Sequence, residues 1–271
     1  MEIGVMFWAG ADPLAAIRQV KAVGVRCGQL GIPPDMPLPG AAPLLKATLD
    51  SEGLTIVTVF AAYRGESYAD IPTVERTVGF VPRATRQERE ERTLEISDFA
   101  AALGVSSIAC HIGFVPEYPG DPDYVAVREM VRRVADHAAW NGQTFALETG
   151  QEPAPVLLRF IRDVNRPNLG INFDPANMIL YGTGDPIEAL DFLAPYVVSV
   201  HCKDGDWPAG AGRLGAERPL GKGAVGIERF IAKLKETGYQ GTLNIEREVE
   251  DQNQKWRDIT TAVNLLRALT G

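Results

Sequence analysis

The stretch Thr144-Phe145-Ala146-Leu147-Glu148-Thr149-Gly150 decides how this chain is read. A short apolar run ends in a carboxylate and then turns. Three later stretches share the layout: Gly170-Ile171-Asn172-Phe173-Asp174, Val197-Val198-Ser199-Val200-His201 and Thr242-Leu243-Asn244-Ile245-Glu246. Side chains alternate between the two faces of a strand. Leu147, Phe173, Val200 and Ile245 therefore share one face, while Ala146, Asn172, Ser199 and Asn244 lie on the side of the polar end itself. One face is bulky and apolar, the other small or polar. Such strands suit a barrel whose outside packs on helices and whose inside tapers toward a polar pocket at the C-terminal strand ends.

Outward from these four, earlier strands read at Glu2 to Trp8, Val25 to Ile32, Leu54 to Phe60 and Val105 to Ile112. Helices read from the Asp12-Pro13 start to Gly24, around Leu44, Leu45 and Leu49 up to Gly53, and over Thr85 to Leu103 and Asp123 to Asn141. Further helices follow over Ala154 to Val164, Pro186 to Leu193, Ile227 to Thr237 and Asn253 to Leu269. Asp before Pro at the first helical position is a start signal, and Gly after the last periodic residue is a stop. Eight strands alternating with eight helices imply parallel strands joined by helical crossovers. The length of 271 residues matches the roughly 250 of a (β/α)8 TIM barrel, so one barrel domain over 1–271 is the expectation. An open doubly wound sheet is the fallback, but Ala9-Gly10-Ala11-Asp12 lacks the dinucleotide glycine fingerprint. Two segments exceed ordinary connections, Ala61 to Arg86 and Gly205 to Gly226. For the first, a lid over the pocket and a solvated insertion are both open readings.

A formal charge of −8 without a basic block argues against sequence-independent nucleic-acid binding. The three cysteines, Cys27, Cys110 and Cys202, are odd in number and widely spaced, which suits buried thiols in a reducing compartment. No apolar run approaches a membrane span, and the first residues lack a charged segment followed by an apolar core. The expectation is a cytoplasmic protein with no membrane partner.

Glu148, Asp174, His201 and Glu246 follow one another at intervals of 26, 27 and 45 residues, each at the end of one of the last four strands. In a closed barrel those ends adjoin. Three converging carboxylates would repel one another and resist ionisation, and one divalent cation holds them ionised. Three oxygens and an imidazole suit Mn2+, Mg2+, Co2+ or a similar cation, a non-structural Zn2+ included, and differ from the thiolate-rich structural zinc site.

Taken together, Cys110-His111-Ile112-Gly113, Ala146-Leu147-Glu148-Thr149-Gly150, Asn172-Phe173-Asp174-Pro175-Ala176-Asn177, Val200-His201-Cys202-Lys203-Asp204 and Asn244-Ile245-Glu246-Arg247-Glu248 resemble the xylose isomerase-like TIM-barrel superfamily, in its sugar phosphate isomerase/epimerase branch. The resemblance runs from the first strand to the last helix. It implies one Mn2+-like ion on Glu148, Asp174, His201 and Glu246, with Glu148 and Glu246 also serving as the acid/base pair of a ketose 3-epimerase. A metal on the carbonyl and neighbouring hydroxyl of a keto sugar acidifies the adjacent C–H. Glutamates on opposite faces then invert that carbon, whereas one base on one face moves the carbonyl. The residues do not separate epimerase from isomerase.

For the remaining candidates a bland reading stands beside the functional one. His111 matches a pocket-lining position, or is a buried hydrogen-bonded histidine. Asn177 stands where many relatives carry histidine, which weakens a substrate contact there. Gln151 or Glu152 reaches a substrate hydroxyl or is a loop residue. Lys203 and Arg213 hold a sugar oxygen or a phosphate, or are surface charges. Trp8 and Phe60 form an apolar wall against the sugar or cap the barrel core. Gly221-Lys222-Gly223 is too short for a phosphate cradle, and His137 reads as structural. The functional expectation is a metal-dependent sugar isomerase or epimerase on a small-molecule substrate, with a dimer or tetramer as the family's usual assembly. The alternative is a lyase or dehydratase on an inositol or keto-glycoside, which needs the same ligands. An apurinic-site endonuclease would need a three-zinc set rich in histidine, and this chain has three histidines in all. A non-catalytic sugar-binding protein would have no use for both glutamates.

Overall fold

The computed structural model describes residues Met1 to Gly271. The first half runs β1 (Glu2–Trp8), α1 (Pro13–Ala22), β2 (Cys27–Ile32), α2 (Ala41–Glu52), β3 (Thr55–Ala61), α3 (Ile71–Thr77), α4 (Arg86–Leu103), β4 (Ser107–Cys110) and α5 (Pro122–Trp140). The second half runs β5 (Thr144–Glu148), α6 (Ala154–Val164), β6 (Leu169–Phe173), α7 (Pro175–Tyr181), α8 (Pro186–Leu193), β7 (Val197–Cys202), β8 (Asp204–Asp206), β9 (Ala216–Arg218), α9 (Ile227–Glu236), β10 (Thr242–Ile245) and α10 (Gln252–Thr270). Eight strands pair in parallel and close into a barrel in the order β1-β2-β3-β4-β5-β6-β7-β10. The expected (β/α)8 barrel is therefore the fold, and no helix is long and apolar enough to cross a membrane.

Alternation sorts the residues as expected. Leu147, Phe173, Val200 and Ile245 join the main apolar core between strands and helices, as do the buried Cys110 and Cys202. The barrel interior holds a small apolar cluster of Met6, Phe60, Ala109 and Ala146. Its other half is polar: Gln29 Nε2 donates to Asn172 Oδ1 at 2.8 Å and to Ser199 Oγ at 2.5 Å. Asn244 Nδ2 reaches the same Ser199 Oγ at 3.3 Å. Buried polar groups persist only when they are hydrogen-bonded, so this network is the structural floor beneath the strand ends.

The structure adds elements that the periodicity does not show. Within Ala61 to Arg86, α3 is capped by Asp70, whose carboxylate accepts the Thr73 amide. The segment is an ordered cap, and Val74 and Val78 pack with Tyr181 and, on its flank, Leu214. Gly205 to Gly226 is not all loop, because β8 and β9 form an antiparallel hairpin in it. The helix α7 begins at Asp174-Pro175, the same start signal as Asp12-Pro13, with the Asp174 carboxylate accepting the Asn177 amide. In α2 the helix begins at Ala41 and holds Pro43 in its first turn, where no amide hydrogen is needed. Strand β4 stops at Cys110, short of the expected Ile112, whose carbonyl instead accepts the Phe80 amide from the cap.

Candidate metal centre

Strand order brings the four expected ligands together. Glu148 ends β5, Asp174 follows β6, His201 lies in β7 and Glu246 follows β10, which are consecutive strands of the barrel. One donor atom from each lies within 4.8 Å of the others. His201 Nδ1 is 2.9 Å from a Glu148 oxygen, 3.4 Å from a Glu246 oxygen and 3.7 Å from Asp174 Oδ2. Glu148 and Glu246 come from the outer strands of this arc, so they flank Asp174 and His201.

Each donor is aimed by a neighbour. His201 Nε2 is 2.8 Å from Gln29 Oε1. An amide oxygen only accepts, so Nε2 carries a proton, and the neutral ring, the form that binds a metal, presents its Nδ1 lone pair to the cluster. Asp174 uses Oδ1 to cap α7 at 2.9 Å, leaving Oδ2 turned inward. Asn172 Nδ2 donates to Glu148 Oε2, and Asn177 Nδ2 lies 3.4 Å from Glu148 Oε1. Gly150 lets α7 come this close: a Cβ there would stand 2.5 Å from the Asn177 Cβ, at a backbone φ of +142°.

Electrostatics agree with a cation site. Without a cation, burial pushes Glu148 up to about 7 against the pull of His201. For Glu246 burial acts in the same direction, but Lys203 and His201 outweigh it and hold the carboxyl well below its usual range. Burial opposes the His201 imidazolium, yet Glu148 and Glu246 raise its pKa well above the ordinary histidine value. Asp174 Oδ2 and His201 Nδ1 are buried without a hydrogen-bond partner, which native proteins seldom tolerate. Three carboxylates and one lone-pair imidazole fit a hard or borderline divalent cation.

Above the cluster a cavity of about 280 Å3 opens at the C-terminal end of the barrel. Trp8, Phe60, His111, Asn177 and Lys203 line it, together with Glu246. The Phe60 ring lies 5.7 Å from His111 and 5.8 Å from His201. Burial draws the His111 imidazole down to about 4. Gln151 is buried behind the wall, with Nε2 3.2 Å from His111 Nδ1. Glu152 is buried as well and accepts the Val115 amide at 3.0 Å, a loop-holding contact and no part of the cavity wall.

Arg213 does not join the site. It is exposed in the hairpin loop, and the cavity wall takes the neighbouring Leu214 and Gly215 instead. The amides of Gly221 and Gly223 bond Asp204 Oδ2 at 2.9 and 3.0 Å, so that turn anchors the loop. His137 pairs with Asp98 at 2.7 Å on the outer helices. The residue missed from sequence is Gln29; a glutamine inside the otherwise small and apolar Cys27-Gly28-Gln29-Leu30-Gly31 was its signal. Tyr68, Tyr181, Glu66, Glu217 and Glu248 also line the cavity, and of these only Glu248 stood in a quoted motif.

The xylose isomerase-like TIM barrel family model matches residues 17–269. The uncharacterized protein MJ1311 of Methanocaldococcus jannaschii is 25% identical over 180 residues, covering 62% of this chain and 57% of that protein. The chain thus spans little more than half the length of that relative. The crystal structure of a xylose isomerase domain protein from Planctomyces limnophilus superposes with a TM-score of 0.93 at 45% identity, over 99% of this chain and 96% of the other. D-psicose 3-epimerase from Clostridium cellulolyticum H10, solved with D-tagatose, gives a TM-score of 0.75 at 18% identity over 99% of both chains, a likeness of fold. The chain belongs to the xylose isomerase-like TIM barrel family.

Proposed function

We propose that this protein is a divalent-metal-dependent epimerase or isomerase of a keto sugar, with Glu148 and Glu246 as its acid/base pair. The observation that carries the reading is the convergence of both glutamates on His201 Nδ1, at 2.9 and 3.4 Å, from opposite ends of the four-strand arc. Glu148, Asp174, His201 and Glu246 would hold the cation, Mn2+ by preference. When bound, it supplies Lewis-acid polarisation of a substrate carbonyl.

The chain's own residues do the rest. Lys203 Nζ donates to Glu246 Oε2 at 3.0 Å, keeping that carboxylate ionised and able to take the proton from the carbon beside the carbonyl. Glu148, at the other end of the strand arc and the more deeply buried of the two, returns a proton from the other side. Trp8 and Phe60 wall the cavity and keep water from the reacting carbon.

The test is incubation of the metal-loaded protein with a panel of ketoses and keto-glycosides in D2O, followed by removal of protein and metal and proton NMR. Loss of the signal beside the carbonyl, with a new epimer or isomer, is the expected result. A product lacking a leaving group would move the assignment to lyase or dehydratase. Full retention of that proton across the panel would overturn the reading.

A further inference from the structure

The cavity wall carries one ammonium and no guanidinium. Lys203 is that ammonium, and it is only 4% exposed. Its Nζ is engaged by two carboxylates, Glu246 at 3.0 Å and Glu248 at 2.5 Å. The other charged groups of the wall are Glu66 and Glu217. Glu66 accepts the Tyr63 and Gly79 amides at 3.1 and 2.9 Å. Glu217 is balanced from outside the wall by Arg247 at 2.7 Å, itself shared with Asp258 at 2.8 Å. With three cluster carboxylates at the floor, the cavity stays net negative even when a divalent cation is bound.

Apart from the cation itself, the other sources of phosphate affinity are absent from the cavity. Arg213 and Lys222 are exposed and outside the wall. The Gly221 and Gly223 amides are taken by Asp204. A phosphate carries about two negative charges and needs Arg, Lys or free amides in fixed positions. Sugar hydroxyls need acceptors, which carboxylates supply.

We infer that the cavity takes an uncharged sugar and turns away phosphorylated ones, with Glu248 setting that selectivity by holding Lys203. The inference rests on the sugar reading of the same site. Glu248 is the exposed member of the pair, its side chain 56% accessible, so its replacement leaves the core intact. Removing its charge frees one of the two Lys203 contacts and leaves the ammonium facing the cavity.

The experiment titrates full-length protein with inorganic phosphate by calorimetry, once saturated with Mn2+ and once in chelator, as wild type, Glu248→Gln and Glu248→Gln/Lys203→Met. Glu248→Gln should bind phosphate at least tenfold more tightly than wild type under both conditions, and the double variant should lose the gain. Wild type binding phosphate as tightly as Glu248→Gln, or a gain that survives in the double variant, would overturn the inference. In the D2O assay, a 6-phosphate exchanging as fast as its parent ketose would overturn it too. Failure of the sugar reading shows separately, as no exchange with any compound, while the phosphate titration still decides the role of Glu248.

Discussion

Gln29 Oε1 lies 2.8 Å from His201 Nε2, and the same amide donates through Nε2 to Asn172, which in turn donates to Glu148. One side chain on β2 therefore sets the tautomer of one candidate ligand and the orientation of another across the barrel. Partners behind a metal's ligands commonly contribute 10- to 100-fold to affinity.

Gln29→Leu should weaken Mn2+ binding by about 10- to 100-fold, read by calorimetry on metal-stripped protein. Unchanged affinity would show that His201 and Glu148 hold their positions unaided.

Glu148→Gln and Glu246→Gln, each at saturating Mn2+, should reduce proton exchange by about 10^2- to 10^4-fold, the range for loss of a general acid or base. Each variant should keep the wild-type circular dichroism spectrum. Near-wild-type exchange in either would remove that residue from the acid/base pair.

Chelation should abolish exchange, and Mn2+ or Co2+ should restore it. A ligand at 100 times its Kd stabilises the folded state by about 2.7 kcal/mol, so the melting temperature should fall on chelation in wild type. In Asp174→Asn the fall should shrink. An identical melting temperature with and without chelator would contradict the cation site.

Burial pushes the Glu152 carboxyl up to about 7, and its Oε2 has no partner. The folded state therefore holds a proton there that the unfolded chain has released above its ordinary carboxylate pKa. Stability from this group is complete below about 4.5 and declines as pH rises to about 7, by on the order of 3 kcal/mol in total. Glu152→Gln should flatten that slope, gaining on wild type at pH 8 and matching it near pH 4. Parallel denaturation curves across this range, with Mn2+ saturating, would refute the assignment.

Trp8 lies across Gly31, where a Cβ would stand 2.5 Å from the indole Cε3 and 2.8 Å from the Met6 Cε. Gly31→Ala should displace the indole and raise KM several-fold with a smaller change in kcat, the pattern of lost uniform binding. A KM equal to wild type would show that the indole does not touch substrate.

The barrel and its four candidate ligands were legible in the chain because they rest on local patterns. Alternation in Thr144 to Glu148 and its three counterparts separates an apolar outer face from a small or polar inner one, and that period is a property of each strand by itself. The Asp174-Pro175 start of α7 is legible too, by the same Asp-Pro rule that marks the start of α1. What only the tertiary structure decided is every relation across the barrel. Gln29 and His201 are 172 residues apart, and no local period records that pairing. Lys203 and Arg213 looked equivalent in sequence. The hairpin turns Arg213 outward, while β7 delivers Lys203 to Glu246 and Glu248. Charge and spacing name the residues able to do chemistry, but closure of the barrel decides which of them share a cavity and which charges are already neutralised there.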